Sequence, residues 1–343
     1  MKKSLLALAV LGAFAGVASA QSSVTLFGTV DLNGRYVKND GSDRRYSLSQ
    51  DGINSSQLGF KGIEDLGGGL KAGFLLLAGV NADNGSTNSQ FFNRSAYARL
   101  MGGFGEVRLG RDYTPTFWSD TIFDAFGTNG LGDSSGVKQL VAPDFVRANN
   151  SIGYFLPSGI GGIYGQAMVA AGEGAVAGRY TGGRIGFAAG PFDIAGAYSE
   201  ERVAPGTYKT ANIGGSFDFG MAKLMGYWNQ EKLNAFKDNI YSASVVVPIG
   251  QGEIHAGYDY SKLTAPGLSN KVDKIALGYV YNLSKRTAVY TNVARISNGN
   301  ASQNSLGPVG VSTVGVGSSG SATAAPTLGG KSEGAEFGIR HFF

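Results

Sequence analysis

The 343 residues carry 29 Lys and Arg against 25 Asp and Glu, a formal charge of +4, and no cysteine. So even a balance, spread along the chain, offers no broad basic face for nucleic acid, and without thiols there are no disulfides, thiolate metal sites or cysteine nucleophile. Hydrophobic residues make up only 43% of the chain and mean hydropathy is −0.03, and beyond residue 20 no apolar run approaches the roughly eighteen residues of a membrane-spanning helix.

At the amino end, Lys2-Lys3 precede an apolar run from Leu5 to Val17, then Ala18-Ser19-Ala20 and the polar Gln21. This reads as a secretory signal peptide over residues 1–20 with an A-x-A cleavage site, too short and too rich in small residues for an anchor. Its removal takes the formal charge to +2 and leaves 21–343 as one domain. That mature chain is rich in glycine and aromatics, with 55 Gly, 20 Phe and 16 Tyr in the whole sequence, where glycine in soluble domains averages about 7%. Such a composition at neutral hydropathy suits a transmembrane β-barrel, whose strands are apolar only at every second residue.

The alternation begins at once. Phe27, Thr29, Asp31, Asn33 and Arg35 alternate with Leu26, Gly28, Val30, Leu32 and Gly34, one face mostly polar and the other compatible with lipid. The same period of two returns in 210–219, 253–260 and 274–283, where Ile275, Leu277, Tyr279, Tyr281 and Leu283 form the apolar set. Strands are expected near 23–37, 52–64, 69–81, 90–101, 104–112, 149–157, 161–172, 179–189, 191–202, 207–219, 221–232, 238–248, 252–263, 271–283, 286–297 and 332–343. Sixteen is an even number, as closure of an up-and-down barrel requires, whereas a soluble β-sandwich would leave the number open.

Connection lengths alternate as well. Tight turns marked by glycine or proline fall at 65–68, 102–103, 158–160, 190, 220, 248–251 and 284–285. Longer polar connections fall at 39–51, 82–89, 173–178, 203–206, 233–237 and 264–270, with two outsized ones at 113–149 and 298–331. Short turns at one end and long loops at the other is the layout of outer-membrane barrels. The 298–331 stretch, rich in Gly, Ser, Ala and Thr, reads as a flexible external loop. The 113–149 stretch opens with Tyr113-Thr114-Pro115 and holds Asp120, Asp124 and Asp133. A connection of that length is usually functional, since most span about four to six residues.

Several stretches carry a resemblance to the general diffusion porins of Gram-negative outer membranes, in particular the betaproteobacterial type. They are Ser23-Val-Thr-Leu-Phe-Gly-Thr-Val-Asp31, the run from Leu58 to Lys71, Asn93-Arg-Ser-Ala-Tyr-Ala98, Gly103 to Arg111, Asn150-Ser-Ile-Gly-Tyr154 and Gly338-Ile-Arg-His-Phe-Phe343. The resemblance implies an all-β fold, a 16-stranded antiparallel transmembrane β-barrel whose third external loop folds inward as a constriction. It also implies a homotrimer in outer-membrane lipid, passing small hydrophilic solutes and ions with no cofactor, and assembled by the barrel-assembly machinery with the terminal Phe343 as signal.

Such porins set basic wall residues against acids on the inward loop. Arg94 and Arg147 are similar to wall-arginine positions, and Lys61 shares the inward parity of Gln57, which stands where an arginine often precedes Leu-Gly-Phe-Lys. Where cation-preferring relatives carry Pro-Glu-Phe-Gly-Gly-Asp, this chain has Asp124-Ala-Phe-Gly-Thr-Asn129, so the usual loop acids are absent while Asp124 stands one position earlier. With Asp120 and with Asp31 from the polar face of the first strand, these seven form the expected constriction set. Basic charge at the narrowing is then less balanced, which favours anions mildly.

Other chemistry has little to rest on. His255 and His341 are the only histidines, and neither sits in a serine-hydrolase motif, so a barrel-embedded hydrolase would need distant pairing. Gly130 to Gly136 lacks the Lys-Ser/Thr of a phosphate loop, and no EF-hand spacing occurs. Tyr97, Phe187, Tyr198, Tyr227, Trp228, Tyr258 and Tyr279 are candidates for interface girdles. The expectation is a non-enzymatic channel, with a solute-specific porin as the nearest alternative.

Overall fold

A computed structural model describes residues 23–306, except 144, 176 and 205, together with 325–343. The expected signal peptide, 1–20, and residues 307–324 of the expected 298–331 loop lie outside the described residues.

Sixteen antiparallel staves follow one another in chain order. They are β1 (Ser23–Asn39), β2 in two pieces (Arg45–Gln50 and Gln57–Gly67), β3 (Leu70–Asn81), β4 (Ser95–Gly102), β5 (Gly105–Tyr113), β6 (Arg147–Phe155), β7 (Ile163–Ala170) and β8 (Tyr180–Ala189). The second half comprises β9 (Phe192–Val203), β10 (Gly206–Asp218), β11 (Lys223–Leu233), β12 (Phe236–Ile249), β13 (Gly252–Ala265), β14 (Leu268–Asn282), β15 (Thr287–Asn298) and β16 (Lys331–Phe342). Each stave pairs with the next, and β16 pairs back onto β1 from Thr29↔Phe342 to Asn39↔Ser332. Closure leaves no free sheet edge among the described strands, as a wall standing in lipid requires.

Burial follows the period of two. Along β11, Met225, Tyr227, Asn229, Glu231 and Leu233 are buried toward the interior, while Leu224 is exposed on the other face. Ile185, Ile213, Ile275 and Leu277 are likewise exposed on the outer face, and together they make the apolar band such barrels present to lipid. No helix among the described residues is long and apolar enough to cross a membrane; the crossing is made by strands. At the tight turns Gly190, Gly220 and Gly250 have φ of 54°, 81° and 61°, a region glycine enters without steric cost.

One expectation needs correction. Residues 45–50 were expected inside a loop of 39–51, with the second strand starting at 52. They instead pair with β1, Tyr36 facing Tyr46 and Leu32 facing Gln50, and the stave is interrupted at 51–56 and resumes at Gln57, opposite Thr29. The cause is Asp31. Its buried carboxylate accepts bonds from the backbone N–H groups of Gly52 (3.2 Å), Ile53 (2.9 Å) and Asn54 (2.8 Å), and from the Tyr290 hydroxyl. A carboxylate satisfied by that many donors outweighs the ladder bonds lost in the bend.

Candidate functional site in the barrel interior

β5 runs through Tyr113 and β6 starts at Arg147, so the long third connection is 114–146. Thr114 caps its first helix, α1 (Pro115–Ile122), by accepting from the Phe117 N–H, and Pro115 at the first helical position has its φ preset and no N–H to satisfy. One face of α1 meets inward-facing side chains of the wall. Asn212 donates to the Thr116 carbonyl (2.9 Å), Arg184 to the Ser119 hydroxyl (3.0 Å) and Asn229 to the Asp120 carboxylate (3.1 Å).

The rest of the segment continues along the same inner face. The Ala125 N–H donates to Ser244 (3.0 Å), the Gln139 N–H to Asp238 (2.7 Å), the Gln139 side chain to Ser261 (2.8 Å) and the Leu131 N–H to Glu336 (3.1 Å). Phe123, Phe126, Leu131 and Val137 pack with Met225, Tyr227, Ile240 and Ile296 in the main interior apolar cluster. Gly214 makes room for this, since a Cβ there would lie 2.4 Å from the Phe123 ring.

The segment's described acids are all engaged, Asp120 with the wall and Asp124 and Asp133 within the segment's own turns. Asp120 lies 2.7 Å from the Lys138 ammonium, which also meets Glu231 at 3.0 Å, all fully buried. Burial pushes the Asp120 carboxyl up to about 6 even with Lys138 beside it. Burial also acts to lower the Lys138 pKa, but the Asp120 and Glu231 charges outweigh it and hold the ammonium above its ordinary value. Asp124 folds back on its own turn, accepting from the N–H groups of Phe126 (2.9 Å), Thr128 (3.1 Å) and Ser134 (3.2 Å) and from the Ser134 hydroxyl (2.8 Å). Its carboxyl is raised by burial and by the neighbouring Asp133 charge. Asp133 caps the 3-10 helix Ser134–Val137 through the Ser135 N–H at 2.7 Å.

On the other side of α1 the charge is positive. Arg94 and Arg147 both donate to the Tyr113 hydroxyl, at 3.0 and 2.7 Å. The Arg147 guanidinium also lies 4.3 Å from the Tyr113 ring centroid. Tyr113 stacks on Phe117 (5.5 Å between centroids, planes 7° apart) and leans on Trp118 (5.3 Å). Among the described residues neither arginine forms a salt bridge, whereas Arg35 is bound to Glu336 (2.8 Å) and Arg108 to Glu106 and Asp112 (both 2.7 Å). Asp51 is near enough to feel the Arg94 charge, but its carboxylate accepts the Ser56 N–H at 2.6 Å.

The other expected members lie apart from this pair. Gln57 is half-buried on β2, opposite Thr29 and Gly79. Lys61 is exposed further toward the 65–68 turn, its ammonium 5.1 Å from the Phe27 ring centroid. Asp31 holds the 52–54 bend, and Asp120 and Asp124 hold the third connection. Phe343 pairs through its backbone with Gly28, N to O 3.1 Å in both directions, at the barrel seam. Sequence reasoning named Tyr113 only as the start of the segment and did not single out Trp118, Lys138 or Glu231. The sole local signal was the capped Tyr113-Thr114-Pro115 start, which fixes where α1 turns. His255 faces Glu253 (3.0 Å) and the Phe126 ring, and His341 meets the Thr287 hydroxyl (2.9 Å); no hydrogen bond links either to a serine among the described residues.

Residues 7–301 match the sequence model of the Gram-negative porin family. The chain belongs to that family. Over the full length of both chains this porin is 40% identical to outer membrane porin protein 32 of Delftia acidovorans. It is 29% identical to an outer membrane porin protein of Bordetella pertussis, over 84% of this chain and 93% of that one. Among solved structures it is similar to an anion-selective porin from Comamonas acidovorans, with a TM-score of 0.83 and 36% identity over 94% of this chain and 100% of that one. OmpT of Vibrio cholerae, in its trimer form, matches at a TM-score of 0.67 and 13% identity over 94% of this porin and 99% of that chain, a likeness of fold alone.

Proposed function

We propose that this outer-membrane porin passes ions and small hydrophilic solutes passively through its interior, and that residues 114–146 narrow the path and give it a mild preference for anions. One observation carries the preference: Arg94 and Arg147 converge on Tyr113 with no salt-bridge partner among the described residues, while Asp120 is buried against Lys138 and the wall and Asp124 is buried in its own turn. Uncompensated charge beside a narrow aqueous path sets the local ion concentration. At an effective dielectric of about 20 and a separation of about 8 Å, one unit charge is worth about 2 kcal/mol, enough to shift permeability several-fold. The anion-selective relative at 36% identity supports the same sign.

The porin acts without chemistry or cofactor on this reading, as a trimer in the membrane, with Phe343 and its seam contact serving recognition by the barrel-assembly machinery. A solute-specific porin is the second reading, favoured by Tyr113, Phe117 and Trp118 beside the two guanidinia, a surface suited to a flat anionic solute. Single-channel recording in planar bilayers separates the two. Conductance proportional to salt concentration and flux linear in solute support general diffusion; saturation at millimolar solute supports the specific channel and refutes the first reading.

A further inference from the structure

A second element of the wall turns inward beside the 114–146 segment. It is the 51–56 interruption of β2, which leaves the ladder after Gln50 and rejoins it at Gln57. Ile53 packs on Val280 of β14 and on Ala288 and Tyr290 of β15, all buried toward the interior, so the bend lies against the inner face of those staves. The Gly52 carbonyl accepts from Asn292 of β15 (3.3 Å), and Asn54 accepts from Arg340 of β16 (3.0 Å).

The tip of the segment rests on this bend. The Ser55 hydroxyl donates to Asn129 (3.0 Å). Gly130 packs onto Gly52 so closely that a Cβ on it would lie 2.2 Å from the Gly52 carbonyl oxygen and 2.5 Å from the Glu336 carboxylate. Gly130 also needs its φ of 62°, which glycine adopts without steric cost. Gly52 has no more room, since its own Cβ would meet the Tyr290 hydroxyl at 2.1 Å. The Glu336 oxygen beside Gly130 accepts in addition from the Leu131 N–H (3.1 Å) and from Asn292 (2.8 Å), which ties tip, bend and wall together.

The backbone of the tip is not one the segment would adopt unaided. Gly127 and Thr128 both lie in the left-handed region, with φ of 58° and 57°, where a β-branched residue is an outlier. Such a conformation persists only where its surroundings over-determine it. On one side Asp124 accepts the Thr128 N–H (3.1 Å) and Thr121 bonds the Thr128 hydroxyl (2.9 Å). On the other side stand Asn129 and Gly130, seated on the bend. The bend in turn hangs on Asp31 of β1. Three successive N–H groups, of Gly52, Ile53 and Asn54, converge on its carboxylate, while its backbone N–H and carbonyl both bond the Ser56 hydroxyl at 3.0 Å.

We propose that Asp31 is a positioning residue for the constriction: through the 51–56 bend it seats residues 129–131 and so sets the width of the path. The inference rests on the reading that residues 114–146 narrow the path, and it gives that segment a second support besides the Lys138 anchor. Asp31 is expected from its strand parity to line the path, but its carboxylate is buried and occupied by backbone donors. Its effect on permeation is therefore steric and passes through the bend.

The test measures width with neutral polymers, which respond to size and not to charge. Polyethylene glycols of graded length are applied to single channels of the full porin in planar bilayers, for wild type, Asp31→Asn, Gly130→Ala and Asp31→Asn/Ser55→Cys/Asn129→Cys. Each variant is first checked for a heat-resistant folded band. Asp31→Asn keeps the side chain's shape and replaces one acceptor oxygen by a donor amide. The chain has no cysteine of its own, so a short bifunctional thiol reagent bridges only the introduced pair. The largest polymer admitted and the conductance should both rise in Asp31→Asn and in Gly130→Ala, conductance by about half, and the bridge should return both to wild-type values. A folded Asp31→Asn with the wild-type exclusion size, or a bridge that fails to restore it, overturns the proposal. Where Asp31→Asn does not fold, wild-type exclusion in Gly130→Ala overturns it. A wild type that already admits polymers as large as an unobstructed barrel of sixteen staves would instead refute narrowing by 114–146 itself.

Discussion

The Lys138 ammonium and the Arg94 and Arg147 guanidinia are all withdrawn from bulk water, yet their surroundings treat them in opposite ways. Lys138 is completely buried between the Asp120 and Glu231 carboxylates and over the Phe145 ring, 3.7 Å from its centroid. Arg94 and Arg147, half-buried, donate to one shared phenol, and among the described residues neither forms a salt bridge. On the proposed function, the contrast follows from what each cluster does. A charge that fastens a segment to the wall must be neutralised where it is buried, because desolvation otherwise outweighs its contacts. A charge that acts on passing ions keeps its effect only if it stays uncompensated. Asp120 cannot serve both ends, since it faces Lys138 and Asn229, and Asp124 is turned onto the N–H groups of its own segment.

The comparison is broken most severely by Lys138→Met. It leaves two carboxylates buried without their cation, at a cost of roughly 3–5 kcal/mol. The folded band should convert at lower temperature in electrophoresis after graded heating, and protease should cut within 114–146; an unchanged conversion temperature and an intact segment would refute the anchoring role.

Gln57→Arg sharpens the other side. Gln57 lies opposite Gly79, whose N–H donates to Asn93 (2.7 Å), the residue before Arg94. A third cation here should add about 1–2 kcal/mol of anion preference at an effective dielectric of about 20, read as a several-fold rise in permeability ratio. Tyr113→Phe removes the shared acceptor and should cost about 1.5–3 kcal/mol, as for other bonds to charged groups, seen as a lower conversion temperature with the sign of selectivity retained.

The smallest effect is that of pH. Asp120, pushed up to about 6, takes up a proton as pH falls from 8 to 5. One negative charge then disappears from the interior, so anion preference should rise, by less than about twofold because Asp120 already faces Lys138. The same shift makes stability fall, for this group alone, as pH rises from the ordinary carboxyl range to about 6, since only the folded state holds the proton in that window. Asp120→Asn should flatten the selectivity profile, and a profile unchanged by the substitution would remove Asp120 as its source.

Much of the fold was legible because a barrel writes its period of two into every stave, and because turns at Gly190, Gly220 and Gly250 need residues with φ above zero. The Arg45–Gln50 piece was missed: it is short and lies beyond a bend whose cause, the Asp31 carboxylate, sits twenty residues upstream in another stave. In the proposed site, the cations could be picked out from the sequence and the surroundings of the acids could not. Arg94 and Arg147 could be placed by the stretches around them. Whether Asp124 points at the path or at the Phe126 and Ser134 N–H groups depends on how the segment coils, and whether Asp120 is free depends on Lys138 and on Glu231 in β11. No local pattern encodes partners set by that closure.

The central claim is that two unpaired arginines, unopposed by the segment's acids, set the sign of selectivity. Its most direct test is the single-channel reversal potential in a tenfold salt gradient, for wild type and for Arg94→Ala/Arg147→Ala. The account predicts an anion-selective potential for the wild type that shifts toward or past zero in the double variant, by several-fold in permeability ratio. A cation-selective wild type, or a potential unmoved by the loss of both arginines, would contradict it.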